Sequence, residues 1–145
     1  RQLFFKYRKI EEEFAEKLEA AREILSVFNP DLASDCYKKA SDLSLVDRRR
    51  VEICRAIVAD PQLLLLDEPS AGMDMTETHD LMDDIEKLKK ERSGIGVIII
   101  EHDMQVISTI AERVIVLNFG QKIVEGTFEE IKNNSEVREA YLGKE

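Results

Sequence analysis

Two acids, Asp67 and Glu68, stand side by side directly after four consecutive leucines, Leu63 to Leu66. An apolar run that stops abruptly at polar residues reads as a strand buried on both faces. Ligands of parallel α/β sheets bind at the carboxyl ends of such strands. An acid at that edge can hold a Mg²⁺ ion through its waters, and the next acid, pointing into the cleft, can orient or deprotonate an attacking water. The plain alternative is a solvated pair capping the next turn, and Pro69 with the four leucines weighs against it. A second apolar run, Gly96 to Ile100, ends in Glu101-His102-Asp103. An imidazole there can hydrogen-bond a terminal phosphate and hold base and water in line. A lone histidine is more often structural, but a position matching the acid pair on a neighbouring strand favours the chemical role. His79, by contrast, falls on a polar helix face with no partner in view. The third feature is Leu43-Ser44-Leu45-Val46-Asp47 running into Arg48-Arg49-Arg50-Val51-Glu52. It offers a serine hydroxyl and backbone N–H groups at a helix N-terminus, which is a general anion site. Taken alone, it reads first as an ordinary serine-capped helix with a basic first turn.

The elements that must position these groups follow from apolar spacing. Ile10, Phe14, Leu18, Ala21, Ile24, Leu25 and Phe28 recur in steps of three and four, which predicts an amphipathic helix over 7–28. Asn29-Pro30-Asp31 stops it, a shorter helical stretch runs to about Lys39, and a polar turn spans Ser41 to Val46. A further helix over 47–59 ends at Asp60-Pro61. After the leucine strand come a helix over 76–92, the strand 96–100, a helix over 104–111 and a strand over 114–117. Asn118-Phe119-Gly120 turns the chain into a hairpin partner over 122–125. Thr127 and Glu130 form a capping box, and Ser135 is expected to cap a last helix through Leu142. Strand, helix, strand, helix, strand is the order of a parallel sheet with right-handed crossovers.

Composition narrows the classes. The 145 residues suffice to bury a core. A net charge of -9 with both signs interspersed excludes a surface built to neutralise nucleic-acid phosphate. Cys36 and Cys54 have no zinc or redox spacing and are expected to be reduced thiols. No apolar run reaches the roughly 18 residues of a bilayer span, so no direct membrane insertion is expected.

The order and spacing of these motifs resemble the ATPases of the ABC family along essentially the whole chain. Leu43 to Ala56 resembles the signature motif and the helix after it. Leu63 to Pro69 looks like the Walker B strand with its catalytic glutamate. Ser70-Ala71-Gly72-Met73-Asp74 is similar to the D-loop, and His102 falls where the switch histidine falls. The fold class implied is α/β, the C-terminal part of a P-loop NTPase (RecA-like) parallel sheet with an N-terminal all-helical subdomain. Residues 1–60 would be the helical subdomain ending in the signature and its helix, and 61–145 the C-terminal part of the catalytic core. The resemblance implies ATP and Mg²⁺ as ligands, with Asp67 serving Mg²⁺, Glu68 as general base and His102 on the γ-phosphate. Asp74 would link two subunits. Ser44, with Leu45, Val46 and Asp47, would reach the γ-phosphate of ATP held by the opposite subunit. The implied partners are a second ATPase subunit, identical or not, and transmembrane permease subunits, with the chain on the cytoplasmic face of the membrane.

Within the family, Arg49-Arg50-Val51-Glu52-Ile53, Glu101-His102-Asp103-Met104 and the ending from Gly126-Thr127 to Ala140-Tyr141-Leu142-Gly143 look like branched-chain amino acid importers. Lipopolysaccharide-export and urea-importer subunits are similar alternatives. A soluble non-transport ABC protein and a non-enzymatic interaction module are the other readings. Two departures stand out. No G-x-x-x-x-G-K-[ST] occurs, so the Walker A loop and glutamine loop would precede Arg1, and Gln2 is no substitute; negligible ATPase activity, an exposed sheet edge and apolar surface are expected of this stretch alone. Leu45 and Val46 also stand where the family has glycine or an aromatic residue followed by glycine, which lets the backbone approach phosphate closely.

Overall fold

The structure, a computed structural model, describes residues 2–142, with side chains described from Tyr7 to Tyr141. Gly143 of the ending singled out above lies outside the described residues, as does the side chain of Gln2. Two compact units are present, residues 1–100 and 101–145.

The first unit opens with α1 (Gln2–Phe28), whose periodic apolar residues behave differently at its two ends. Ile24, Leu25 and Phe28 are buried, while Tyr7, Ile10 and Phe14 are exposed. Along the exposed part, Arg8 pairs with Glu12 at 3.1 Å and Lys17 with Glu13 at 3.5 Å. Such solvated pairs one turn apart add only a few tenths of a kcal/mol each. Asn29 stops the helix and caps α2 (Pro30–Ser34), its Oδ1 accepting from the backbone N–H of Asp31 and Leu32. A 3-10 turn, Ala40–Asp42, leads to α3 (Leu45–Ile57). Then come β1 (Leu63–Asp67), α4 (Met75–Glu91) and β2 (Gly96–Ile100). Strands β1 and β2 pair in parallel from Leu63 opposite Gly96 to Asp67 opposite Ile100. The missing side chain at Gly96 leaves room for Leu63, whose Cδ1 would lie 3.1 Å from an added Cβ.

The inner face of α3 (Ile53, Cys54, Ile57) and that of α4 (Leu81, Met82, Ile85, Leu88) are buried, and Leu64 of β1 is buried with them. Helices α1, α3 and α4 contact one another, and strands β1 and β2 belong to the same compact unit. The first compact unit thus runs from the helical stretch through both strands to Ile100. Continuous burial of the leucine run does not hold, because Leu63, Leu65, Ile98 and Ile100 on the other face are each more than half exposed. Only one face of this two-stranded sheet is covered by helices of the same unit. Both cysteines are free thiols, and burial pushes that of Cys54 up to about 11.

A chain of charged groups crosses this core. Asp47 Oδ1 accepts from Asn29 Nδ2 at 3.2 Å and from the Arg50 guanidinium at 2.9 Å. Arg50 also donates through Nε to Asp84 Oδ2 at 2.8 Å, and Lys87 reaches the other oxygen of Asp84 at 3.2 Å. The Asp84 side chain is 3 % exposed and that of Arg50 12 %. Burial works against the charge on Asp47, but hydrogen bonds from Arg50, Asn29 and Ser44 hold its carboxyl below the ordinary value.

The second unit comprises α5 (Met104–Ile110), β3 (Val114–Asn118), β4 (Gln121–Gly126), α6 (Phe128–Lys132) and α7 (Ser135–Leu142). The expected hairpin is present, β3 pairing antiparallel with β4, but β3 has no other strand partner among the described residues and so does not extend a parallel ladder. Phe119 and Gly120 both take left-handed φ, 46° and 77°, which is the backbone a tight two-residue hairpin requires. Closing so short a loop costs little entropy, which favours the local antiparallel partner. Val114, Val116, Ile131 and Val137 form the core of this unit. The Thr127 and Glu130 capping box is present. At α7 the cap is Asn134, whose Oδ1 accepts from the N–H of Glu136 and Val137, and Ser135 is the first helical residue.

Two measurements probe the charged chain. Arg50→Met strands Asp84 with Lys87 alone and is expected to cost about 3 kcal/mol, read as a lower urea midpoint at unchanged m. A loss typical of an exposed pair, under about 1 kcal/mol, contradicts the burial argument. Because the folded-state pKa of Asp47 is lowered, its contribution is complete above the unfolded value of about 3.9 and is lost as the pH falls through the folded value. The stability gap between the native chain and Asp47→Asn should therefore narrow below about pH 4. A gap constant across that range sinks this assignment.

Candidate functional site

The turn after β1 carries the acids. Asp67 is its last residue and Glu68 follows, both exposed at the carboxyl end of a parallel strand pair. Glu68 takes φ 42°, left-handed backbone that a non-glycine residue rarely adopts. Its N–H donates to the Ile100 carbonyl at 2.9 Å and its carbonyl accepts from Ala71 at 3.1 Å. Pro69 is buried beneath the turn. Met73 N–H donates to the Ser70 carbonyl at 3.0 Å, and Gly72 takes φ 80°, which only glycine adopts without strain. The turn ends at Asp74, which caps α4 in a capping box: Asp74 Oδ1 accepts from Glu77 N–H at 2.9 Å and Glu77 Oε2 from Asp74 N–H at 3.1 Å. Asp74 thus has a local structural task in its own chain.

At the start of α3, Ser44 is the N-cap and its Oγ accepts from Asp47 N–H at 3.1 Å. Ser44 is exposed, while Leu45, Val46 and Asp47 are half-buried. Leu45 lies over the turn after β1, since its Cδ2 would sit 3.5 Å from a Cβ added to Gly72. Asp47 directs its carboxylate to Asn29 and Arg50. In one unit, then, the structure brings together Asp67, Glu68 and Asp74 on one turn and the Ser44–Asp47 segment above it.

Reading Arg48-Arg49-Arg50 as a merely basic first turn missed two specific contacts. Arg49 donates from Nε to the Pro69 carbonyl at 2.9 Å and from a terminal nitrogen to Glu52 at 2.7 Å. Arg50 bridges to Asp84. A signal for the second was present, because Asp84 lies within the apolar stripe Leu81, Ile85, Leu88 of its helix, where an acid needs a partner.

His102 belongs to the second unit, two residues along the chain from the end of β2. Its side chain is 72 % exposed, with Nδ1 4.0 Å from Oε2 of Glu101, whose own side chain is buried. His79 lies on the exposed side of α4, 3.5 Å from Asp83. Among the described residues, no group of three or more His, Cys, Asp or Glu side chains is gathered for a metal. The donor set at the strand end, exposed carboxylate oxygen without nitrogen or sulfur, suits Mg²⁺, which is commonly held by one or two carboxylates together with substrate phosphates and water.

Comparison with known proteins identifies the family. Residues 2–71 match the family described as ABC transporter, and residues 121–145 match the branched-chain amino acid ATP-binding cassette transporter family. The high-affinity branched-chain amino acid transport ATP-binding protein LivG of Salmonella typhimurium is 42% identical over 113 residues, covering 78% of this chain and 44% of that protein. The lipopolysaccharide export system ATP-binding protein LptB of Haemophilus influenzae is 36% identical over 130 residues, covering 90% of this chain and 52% of that protein. The crystal structure of the ADP conformation of MJ1267, an ATP-binding cassette of an ABC transporter, superposes with a TM-score of 0.78 at 31% identity, covering 89% of this chain and 51% of that one. The chain spans about half the length of the relatives it matches, or somewhat less. The P-loop NTPase class expected from the order of motifs is the class of these structures. With both ends of the chain matched and the strand, turn and helix of the site laid out as above, this chain belongs to the ATP-binding cassette family of ABC transporters.

Proposed function

We propose that the chain is the C-terminal part of the ATP-hydrolysing subunit of an ABC transporter for branched-chain amino acids, placed on the cytoplasmic face of the membrane beside permease subunits. The observation that carries the reading is the exposed Asp67-Glu68 pair at the carboxyl end of β1, with Glu68 held in left-handed backbone. Asp67 holds Mg²⁺, which offsets charge on the phosphates. Glu68 accepts a proton from water as that oxygen bonds to the γ-phosphorus and the bond to the bridging oxygen of ADP breaks. His102 donates a hydrogen bond to the γ-phosphate. Ser44, with the first backbone N–H groups of α3, faces the γ-phosphate of ATP held by a second ATPase subunit, and Asp74 contacts that subunit. Leu45 and Val46 add side chains at this helix start, which weakens its approach to phosphate. The helical stretch 1–60 serves as the subdomain that carries this signature, and 61–145 as the C-terminal part of the catalytic core.

The cargo follows the matched segment 121–145 and the similarity to LivG. A second reading, lipopolysaccharide export, is supported by the LptB similarity, which extends over more of the chain. No helix among the described residues is long and apolar enough to cross a membrane, so attachment through permease subunits is the proposed route.

In the full-length protein, Glu68→Gln is expected to leave ATP binding intact and to lower hydrolysis by roughly 10²–10⁴-fold. Unchanged hydrolysis removes Glu68 from its role and favours an interaction module. The 145-residue chain alone is expected to show no turnover above background; turnover abolished by Glu68→Gln would overturn that statement. Uptake of labelled leucine by cells lacking the full-length protein should fall and be restored by it, and unaffected uptake reassigns the cargo.

A further inference from the structure

We propose that Arg49 is a positioning residue for Glu68, holding the strained turn that presents this carboxylate; the inference rests on the reading of Glu68 as general base. Glu68 has two reasons to leave its conformation. Its φ is left-handed, and it precedes a proline, whose ring crowds the residue before it and favours extended backbone. Such backbone persists only where its surroundings over-determine it. Three hydrogen bonds do so here. One runs from Glu68 N–H to Ile100, one from Ala71 N–H to the Glu68 carbonyl, and the third from Arg49 Nε to the carbonyl of Pro69. The first two are backbone bonds made by the turn itself and its neighbouring strand. The third is supplied by a side chain from α3, and it fixes the Pro69–Ser70 peptide, the second peptide after Glu68.

The chemistry at position 49 calls for arginine. Pro69 is buried, so its carbonyl needs a donor. A guanidinium presents several N–H groups in a rigid fork, and here Nε serves Pro69 while a terminal nitrogen serves Glu52 at 2.7 Å. The Arg49 side chain is 27 % exposed, so its aliphatic stem is partly packed as well. A lysine ammonium, a single point on a flexible stem, holds the carbonyl less well in direction. Leu45, from the first turn of the same helix, meets the turn again at Gly72. The start of α3 and the turn that carries Glu68 are therefore joined at two places, Pro69 and Gly72.

The test uses Arg49→Met, which keeps most of the stem and removes the donors, Arg49→Lys, and Glu52→Gln, which breaks only the exposed ion pair. In the full-length ATPase, Arg49→Met is expected to lower kcat by roughly tenfold to a hundredfold with KM for ATP changed by less than about threefold, Arg49→Lys to fall between, and Glu52→Gln to match the native protein. In the 145-residue chain, hydrogen exchange at the Glu68 and Ala71 amides should quicken by about tenfold in Arg49→Met while the Leu66 amide, which the parallel register of β1 and β2 turns toward β2, stays as protected as before. Unchanged exchange at Glu68 and Ala71, with or without a drop in kcat, overturns the proposal, as does a general loss of protection that includes Leu66. If Glu68→Gln leaves hydrolysis intact, the general-base reading falls, and the exchange measurement still decides whether Arg49 holds the turn.

Discussion

The buried guanidinium of Arg50, set between Asp47 of its own helix and Asp84 of α4, is the constraint on which the arrangement of the first unit depends. A carboxylate as enclosed as that of Asp84 is costly to bury without a partner, and Arg50 reaches it from the neighbouring helix. Desolvation consumes much of the attraction, so the gain lies more in fixing geometry than in net stability. Both helices begin at the site. Fixing α3 against α4 therefore fixes the serine-capped start of one against the Asp74-capped start of the other.

The strand pair shows how little sheet is needed to aim two acids. Leu64 anchors β1 in the helical core, and the parallel ladder to β2 sets the direction of the strand end. Parallel pairing with one helix crossing between the strands brings both carboxyl ends to the same edge, which is where such folds bind their ligands. The opposite face, with Leu63, Leu65, Ile98 and Ile100 exposed, is the kind of apolar surface that marks a contact with other protein. Position along the strand and burial of its faces are thus separate properties, and the site rests on the first.

Several of the proposed site residues have structural tasks of their own. Asp74 closes a capping box, Ser44 caps a helix, and Asp47 is drawn inward by Asn29 and Arg50. Residues that stabilise the ends of α3 and α4 are also those expected to face nucleotide or subunit. A site on helix starts and strand ends is carried by rigid elements, so its groups are placed before any ligand arrives. The strain at Glu68 fits the same scheme, since neighbouring bonds hold a backbone that the residue alone would abandon.

Much of this was legible in the residues. Periodicity marked the helices, apolar runs ending in acids or histidine marked β1 and β2, and the Thr127 capping box was readable from spacing, because each depends on neighbours within a few positions. Asn134, rather than Ser135, caps α7, a slip of one residue between two adjacent side chains able to do the same job. The β3–β4 hairpin was legible from its turn, but the lack of any further strand partner for β3 among the described residues, the bare face of β1 and β2, and the partners of Arg49 and Arg50 were not. Each joins or separates residues distant along the chain. The sequence by itself determined which residues can do chemistry and that they end strands or begin helices, because those are properties of local composition. Only the tertiary structure decided that Arg49 reaches Pro69 and Arg50 reaches Asp84, because those bonds exist only once α3, α4 and the turn after β1 have packed together.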